Sequence, residues 1–314
     1  MQDAKNLKEY RQTIQESLGN DFLRRALDTF AVTYRASRAR AFAEFDVQQL
    51  VDEVAAAKDA VLPRLLELYS EFKKNAEDAG VKVHFAKDAA EANRLVAEIA
   101  ERSGSKKIIK SKSMTAEETL LNHALEDRGL EVVETDLGEW IIQLRHEGPS
   151  HMVMPAIHLS RYQVKDLFSE VTGARQEPDI EKLVKVARRE LRSKFVEADM
   201  GITGANFAIA DTGTIGLVTN EGNARLVTTL PRVHVALLGI DKLVPTVDDA
   251  MKILRVLPRN ATGQNLTSYV TWITGANECR SAADKKKEIH FIVLDNGRLE
   301  MAKDPLFSQV FRCV

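Results

Sequence analysis

Residues Gly201–Ile240 read GITGANFAIADTGTIGLVTNEGNARLVTTLPRVHVALLGI, and this stretch decides the fold. Two short apolar runs, Phe207–Ala210 and Ile215–Val218, flank Asp211-Thr212-Gly213-Thr214. The polar segment Thr219–Arg225 follows, and Val233–Ile240 is the continuous apolar run of a buried strand. Apolar strands broken by Gly, Thr, Asn and one carboxylate suit an edge that meets a ligand. Glycine lets a ligand approach the backbone, Thr and Asn offer hydrogen bonds, and the apolar runs fix the loop. Asp-Thr-Gly and Asn-Glu-Gly are also ordinary turn chemistry, so two plain hairpins are the alternative.

Working outward, the chain from residue 81 alternates strand and helix. Val81–Phe85, Lys106–Lys110 and Leu130–Glu134 read as strands, and Lys87–Ser103 and Thr115–Arg128 as helices. That alternation implies parallel pairing in an α/β fold, a mostly parallel sheet flanked by helices. Trp140–Leu144 reads as a further strand, and Tyr162–Val171 and Asp179–Asp199 as helices. Thr246–Leu257 reads as a helix stopped by Pro258. His290–Leu294 and Arg298–Ala302 flank Asp295-Asn296-Gly297, a hairpin signal. Upstream, Leu18, Phe22, Leu23, Ala26, Leu27 and Phe30 recur at helical spacing. A second amphipathic helix runs from about Val47 to Ala79, broken or kinked near Pro63 and capped by Gly80. The expected division is a helical region at 1–79, an α/β domain at 80–302 and a linker at 303–314.

Composition bounds the function. The 314 residues are 44% hydrophobic and 29% charged, as in a globular chain with a full core. Lys and Arg total 44 against 46 Asp and Glu, a net charge of −2, which argues against nucleic-acid binding by bulk charge. The run Lys285-Lys286-Lys287 reads as a solvated patch. Two cysteines, Cys279 and Cys313, make no disulfide framework, and Cys279 reads as incidental. No signal-peptide pattern opens the chain, and no apolar run approaches the ~18 residues of a membrane span, so a cytoplasmic location is the default. No GxGxxG follows a strand, so no nucleotide-type Rossmann site is visible.

Several residues carry chemistry. Lys110, Ser111, Lys112, Ser113, Met114 and Thr115 follow a strand and open a helix. The hydroxyls can cap that helix, and its free N–H groups with two lysines suit a phosphate or carboxylate; a well-capped turn is the plain alternative. Glu118, one turn on, faces the same crevice or supports the cap. Asp136 and Glu139 follow another strand end, where open α/β sheets bind ligands. His146, His151 and His158 cluster around Glu147, but their spacing matches no known metal pattern. His151 or His158 can serve as a general base for a 2-hydroxy acid if it faces the crevice. Asn223, Arg225 and Arg232 can bind a carboxylate, with a surface ion pair the alternative for Arg232.

The signature segment resembles the core of the LUD (lactate utilisation) domain family, a T-G-A-x-x-A-I-A-D-T-G-T run, a strand, a glycine loop ending A-R-L, then L-P-x-V-H. Thr203, Gly204, Ala205, Ala208, Asp211, Thr212, Gly213, Thr214, Ala224, Arg225, Pro231 and His234 fall on it. Lys110–Glu118 is similar to the family's K-S-x-S-M…E block, and Gly148–His158 to its P-S-H-x-x-x-P-A-I-H block. The resemblance implies an isomerase/CoA-transferase-like fold. Taken with the residues read above, it puts the expected ligand contacts at Lys110, Ser111, Ser113, Met114, Thr115, Glu118, Asp136, Glu139, Thr203, Gly204, Asn206, Asp211, Thr212, Gly213, Thr214, Gly222, Asn223, Arg225 and Arg232. It is strongest toward the family's iron–sulfur cluster-binding members, which continue past a point matching Phe311-Arg312-Cys313-Val314 into a C-x-x-C-x-x-C run. Cys313 is then the first 4Fe-4S ligand of a longer protein. One cysteine cannot hold a cluster that needs about four thiolates, so none is expected on this chain alone.

Three functions follow as expectations. The first is a subunit of an L-lactate-oxidising electron-transfer complex, with other lactate-utilisation subunits as partners and a small carboxylate as ligand. The second is a CoA-transferase- or isomerase-like enzyme using Glu221, since a loop Glu is the covalent nucleophile in the wider superfamily. The third is a scaffold whose N-terminal helices dock partners.

Overall fold

Strand residues that alternate between two apolar faces build the centre of the molecule. The computed structural model describes residues 7–276 and 286–313. The strands are β1 Lys82–Ala86, β2 Lys107–Lys110, β3 Glu131–Glu134, β4 Met200–Thr203, β5 Phe207–Ile209, β6 Thr214–Thr219, β7 Val233–Gly239, β8 Leu243–Val244, β9 Tyr269–Ile273 and β10 Glu288–Leu294. Among the described residues six of them form an all-parallel sheet in the order β1-β10-β7-β4-β2-β3. The other four form a smaller mixed sheet, β8-β5-β6-β9. Along β7, Val233, Val235 and Leu237 enter one apolar cluster while Ala236 and Leu238 enter another. Both faces of the large sheet are therefore buried, as parallel pairing requires.

The helices are α1 Leu7–Leu18, α2 Asp21–Ala41, α3 Val47–Val61, α4 Leu65–Asp78, α5 Ala89–Arg102, α6 Met114–Glu118, α7 Leu121–Glu126, α8 Leu137–Leu144, α9 Arg161–Thr172, α10 Ile180–Glu197, α11 Asn223–Thr229, α12 Val247–Thr262 and α13 Arg298–Met301. Leu65, Leu68, Phe72 and Ala76 lie on one stripe of α4 and are buried with Val83, Ala208, Ile215 and Phe291. The kink expected at Pro63 is a single 3₁₀ turn between α3 and α4, and Gly80 follows α4 with φ 87°. None of the described helices is long and apolar enough to cross a membrane.

Four expectations give way. Trp140–Leu144 belongs to α8, because Leu137, Trp140, Ile141 and Leu144 share a helical face that packs with Phe168 and Leu183. The helix read over Thr115–Arg128 breaks at Leu120, which is left-handed at φ 53°, into α6 and α7. Pro258 does not stop α12: its ring is buried, only one N–H is lost, and the helix ends at Gly263 with φ 68°. No hairpin follows β10, because β1 and β7 already pair both its edges; the Asp295-Asn296-Gly297 turn opens α13 instead. The lysine run is also less solvated than expected. Lys287 is 7% exposed and donates to the Pro231 carbonyl oxygen. Cys279 and Lys285 lie outside the described residues.

Candidate active site

The strands K-I-I-K and E-V-V-E lie side by side in register, so Lys110 and Glu134 meet at the carboxyl edge of β2 and β3. Lys110 is fully buried, and its Nζ stands 2.7 Å from Glu134 Oε1 and 3.4 Å from Glu117 Oε1. Burial alone pushes the ammonium down, but Glu134 and Glu117 outweigh it and hold Lys110 above the ordinary lysine value. Asn122 Nδ2 donates to the same Glu134 oxygen at 2.7 Å. Two residues after Lys110, Lys112 places Nζ 3.4 Å from Glu139 Oε1 and donates to the Val153 carbonyl.

Glu139 is the most perturbed carboxyl of the site. It is 3% exposed, and its pKa is pushed up to about 7. Burial is the main cause; Glu134 and Glu117 add to it, while Lys112 and Lys110 oppose it. Asp136, expected as a ligand, caps α8 by accepting from the Gly138 and Glu139 amides. That cap fixes the turn from which Glu139 projects. A cleft of about 330 Å³ adjoins the array, lined by Glu117, Asn122, Glu134, Glu139, His146 and Glu147 among others. Two of its buried acceptors, Glu134 Oε2 and Asn122 Oδ1, have no hydrogen-bond partner among the described residues.

The remaining expected residues divide into three groups. Some meet the array. Ser113 caps α6 through the Ala116 amide, and a Cβ on Gly204 would stand 2.9 Å from its Oγ, so β4 can approach only with glycine there. The Ser111 amide donates to Ile202 O, and Met114 and Thr115 open α6 beside it. Thr135 Oγ1 donates to Lys110 O and accepts from Asn223 Nδ2 at 3.3 Å. Thr219 Oγ1 lies 3.1 Å from both Asn223 Oδ1 and Glu221 Oε2, so the exposed Glu221 is tied to the same strand end. Gly222, with φ 78°, turns the chain into α11.

Others hold the scaffold. Thr203 Oγ1 is 2.9 Å from the buried His234 Nε2, and burial, with Lys287 and His290, drives that imidazole down to about 3. Asn206 Oδ1 accepts from the Val218 amide, and the Arg225 guanidinium lies 4.8 Å over the Tyr269 ring. The Asp211–Thr214 turn seats on α4: a Cβ on Gly213 would stand 2.2 Å from the Ala76 nitrogen. Glu118 pairs with Arg298 at 2.6 Å and accepts from Asn296.

A third group lies elsewhere. Arg232 sits at the amino edge of the sheet, donating to the Ser103 carbonyl. His158 bridges Glu147 at 2.9 Å and Ser150 at 2.5 Å, and His151 Nδ1 accepts from the Val153 and Met154 amides. Both stabilise the 147–158 loop. Cys313 is exposed. The sequence reading missed Glu117, Asn122 and Glu134 as site residues. Its available signal was the pair of matched strands, each ending in a charge after two apolar residues.

A parallel α/β sheet with a buried lysine–carboxylate array at its carboxyl edge, beside a cleft, is the class that fold and site define. Residues 69–294 match the LUD domain family, and the chain belongs to that family. It is 41% identical over 312 residues to lactate utilization protein B of Bacillus licheniformis and 39% over 310 residues to that of Bacillus subtilis, covering 98% and 97% of this chain. It is 36% identical over 307 residues, 98% of this chain, to YkgF of Escherichia coli, named an uncharacterized electron transport protein. The chain spans 64% of the length of each of these relatives. A crystal structure of a duf162 family protein from Deinococcus radiodurans matches at 16% identity and a TM-score of 0.40, over 73% of this chain and 98% of that one.

Proposed function

We propose that the chain is the LUD-domain part of a lactate-utilisation protein, a cytoplasmic subunit acting in the oxidation of L-lactate to pyruvate. The observation that carries the reading is Glu139, a buried carboxyl with a pKa of about 7 held 3.4 Å from the Lys112 ammonium. A general base works best when its pKa lies near the operating pH. In this reading the lactate carboxylate pairs with Lys112, and Glu139 takes the hydroxyl proton. Oxidation to pyruvate releases two electrons and two protons. One proton goes to Glu139; the other, with the electron pair, leaves to an acceptor outside the described residues. The name of one relative, an uncharacterized electron transport protein, supports an electron-transfer partner; iron–sulfur clusters in a longer protein or its partner subunits would carry the electrons onward singly, downstream of the acceptor that takes the pair.

The described residues do not fit such a cluster by themselves. They supply one cysteine, Cys313, against about four thiolates per cluster.

The test pairs binding with turnover. L-lactate titrated calorimetrically into the wild type should bind saturably, about tenfold more weakly in Lys112→Ala. In lactate-driven dye reduction by the full-length protein with its partners, Glu139→Gln should lower kcat about 100-fold with little change in KM. Absence of saturable lactate binding, or unaltered turnover in Glu139→Gln, overturns the reading.

A further inference from the structure

We propose that the cleft beside Glu134 is a binding site for a small organic cation bearing a primary ammonium group. Glu117, Glu126, Glu134, Glu139 and Glu147 all line it, in a space of about 330 Å³. Acidity alone would be satisfied by water and salt. The second observation is a pair of buried, orphaned acceptors on two of the residues that line it. Glu134 is 2% exposed; its Oε1 is taken by Lys110 and Asn122, while Oε2 has no partner among the described residues. Asn122 cannot turn its amide round to help. Its Nδ2 already donates to Glu134 Oε1, and a flip would set oxygen against oxygen, so Oδ1 stays a buried acceptor without a donor.

The cleft therefore offers more acceptors than donors: five carboxylates and two unpartnered oxygens stand against the N–H groups of His123, Gln143 and His146. A carboxylate or phosphate has no hydrogen to give. An alkylammonium carries three N–H donors on one cationic nitrogen, which suits two buried acceptors with the half-exposed Glu117 carboxylate at the rim. The volume holds a ligand of roughly ten heavy atoms, at about 30 Å³ per water-sized group. Such a ligand is opposite in charge to lactate, and the proposal does not rest on the lactate reading.

The experiment is calorimetric titration of putrescine, ethylammonium, Mg²⁺ and acetate into the full-length protein at low ionic strength. Saturable putrescine binding is expected, one per chain, with ethylammonium weaker and acetate unable to displace putrescine. Glu117→Gln, a change at the cleft rim, should weaken putrescine about tenfold. Glu134→Gln should abolish binding, with a thermal melt confirming that the variant is folded. If that variant does not fold, Glu117→Gln alone decides. Glu300→Gln, on α13, should bind as the wild type does. The proposal is overturned by no saturable amine heat in the wild type, by unchanged affinity in Glu117→Gln, or by Mg²⁺ occupying the cleft and excluding putrescine.

Discussion

A lysine can be buried at a strand end only if a carboxylate goes in with it, and Lys110 shows the cost of that arrangement. Lys110→Met leaves Glu134 charged, buried and unpaired, and urea unfolding should show a loss of about 3–5 kcal/mol. Lys110→Met combined with Glu134→Leu should recover most of it, because neither charge remains. Glu139 carries the pH dependence of the site. Its folded pKa of about 7 lies above the 4.5 of an ordinary glutamate, so the folded state holds the proton more tightly. Its stabilising contribution is complete below about pH 4.5 and is lost as pH rises to 7, by at most ~3 kcal/mol. His234 and His290, pulled down to about 3 and about 4 by burial, run the other way and gain stability as pH rises toward 6.5. The difference between wild type and Glu139→Gln, measured by urea unfolding from pH 4 to 8, should therefore slope only between 4.5 and 7. Lys110 and Glu139 were visible in the sequence as charges at strand ends. Their partners were not, because Glu134 becomes a neighbour only through the β2–β3 register, and Asn122 reaches it only after the break at Leu120.

Among elements, the Asp-Thr-Gly-Thr turn shows how a conspicuous motif can also serve an internal contact. As sequence it looks like a ligand loop. In the fold Gly213, with φ 64°, lets the β5–β6 hairpin seat on α4, whose Asn75 Nδ2 donates to Ala210 O. Gly213→Ala drives a Cβ against the Ala76 backbone in a left-handed conformation and should cost about 2–4 kcal/mol in chemical denaturation. Five of the six strands of the large sheet were legible because clustered Val/Ile/Leu have few other uses, whereas β4, Met-Gly-Ile-Thr, is too short and too mixed to show itself. α8 was misread because Trp140-Ile141-Ile142 is a short apolar run, and only Leu137 and Leu144 beyond it reveal the helical period. The turn after β10 was misread because local chemistry cannot report that both edges of a strand are already occupied.

For the whole molecule, the N-terminal helices are unequal. α1 has no buried residue, whereas α3 and α4 place Leu50, Val54, Leu65, Leu68 and Phe72 in clusters shared with the strands. We propose that the body of the protein begins at α3 rather than at residue 80. Deleting residues 1–18 should move the melting temperature by less than about 2 °C, while deleting residues 1–79 should abolish cooperative unfolding in calorimetry. A small shift on the longer deletion would restore the division expected from sequence.

The most direct test of the account is the titration of the Glu139 carboxyl itself, by ¹³C NMR of glutamate-labelled full-length protein assigned against Glu139→Gln, with and without L-lactate. A midpoint near pH 7 that moves when lactate is added is expected. A carboxyl titrating near 4.5 and indifferent to lactate would contradict it.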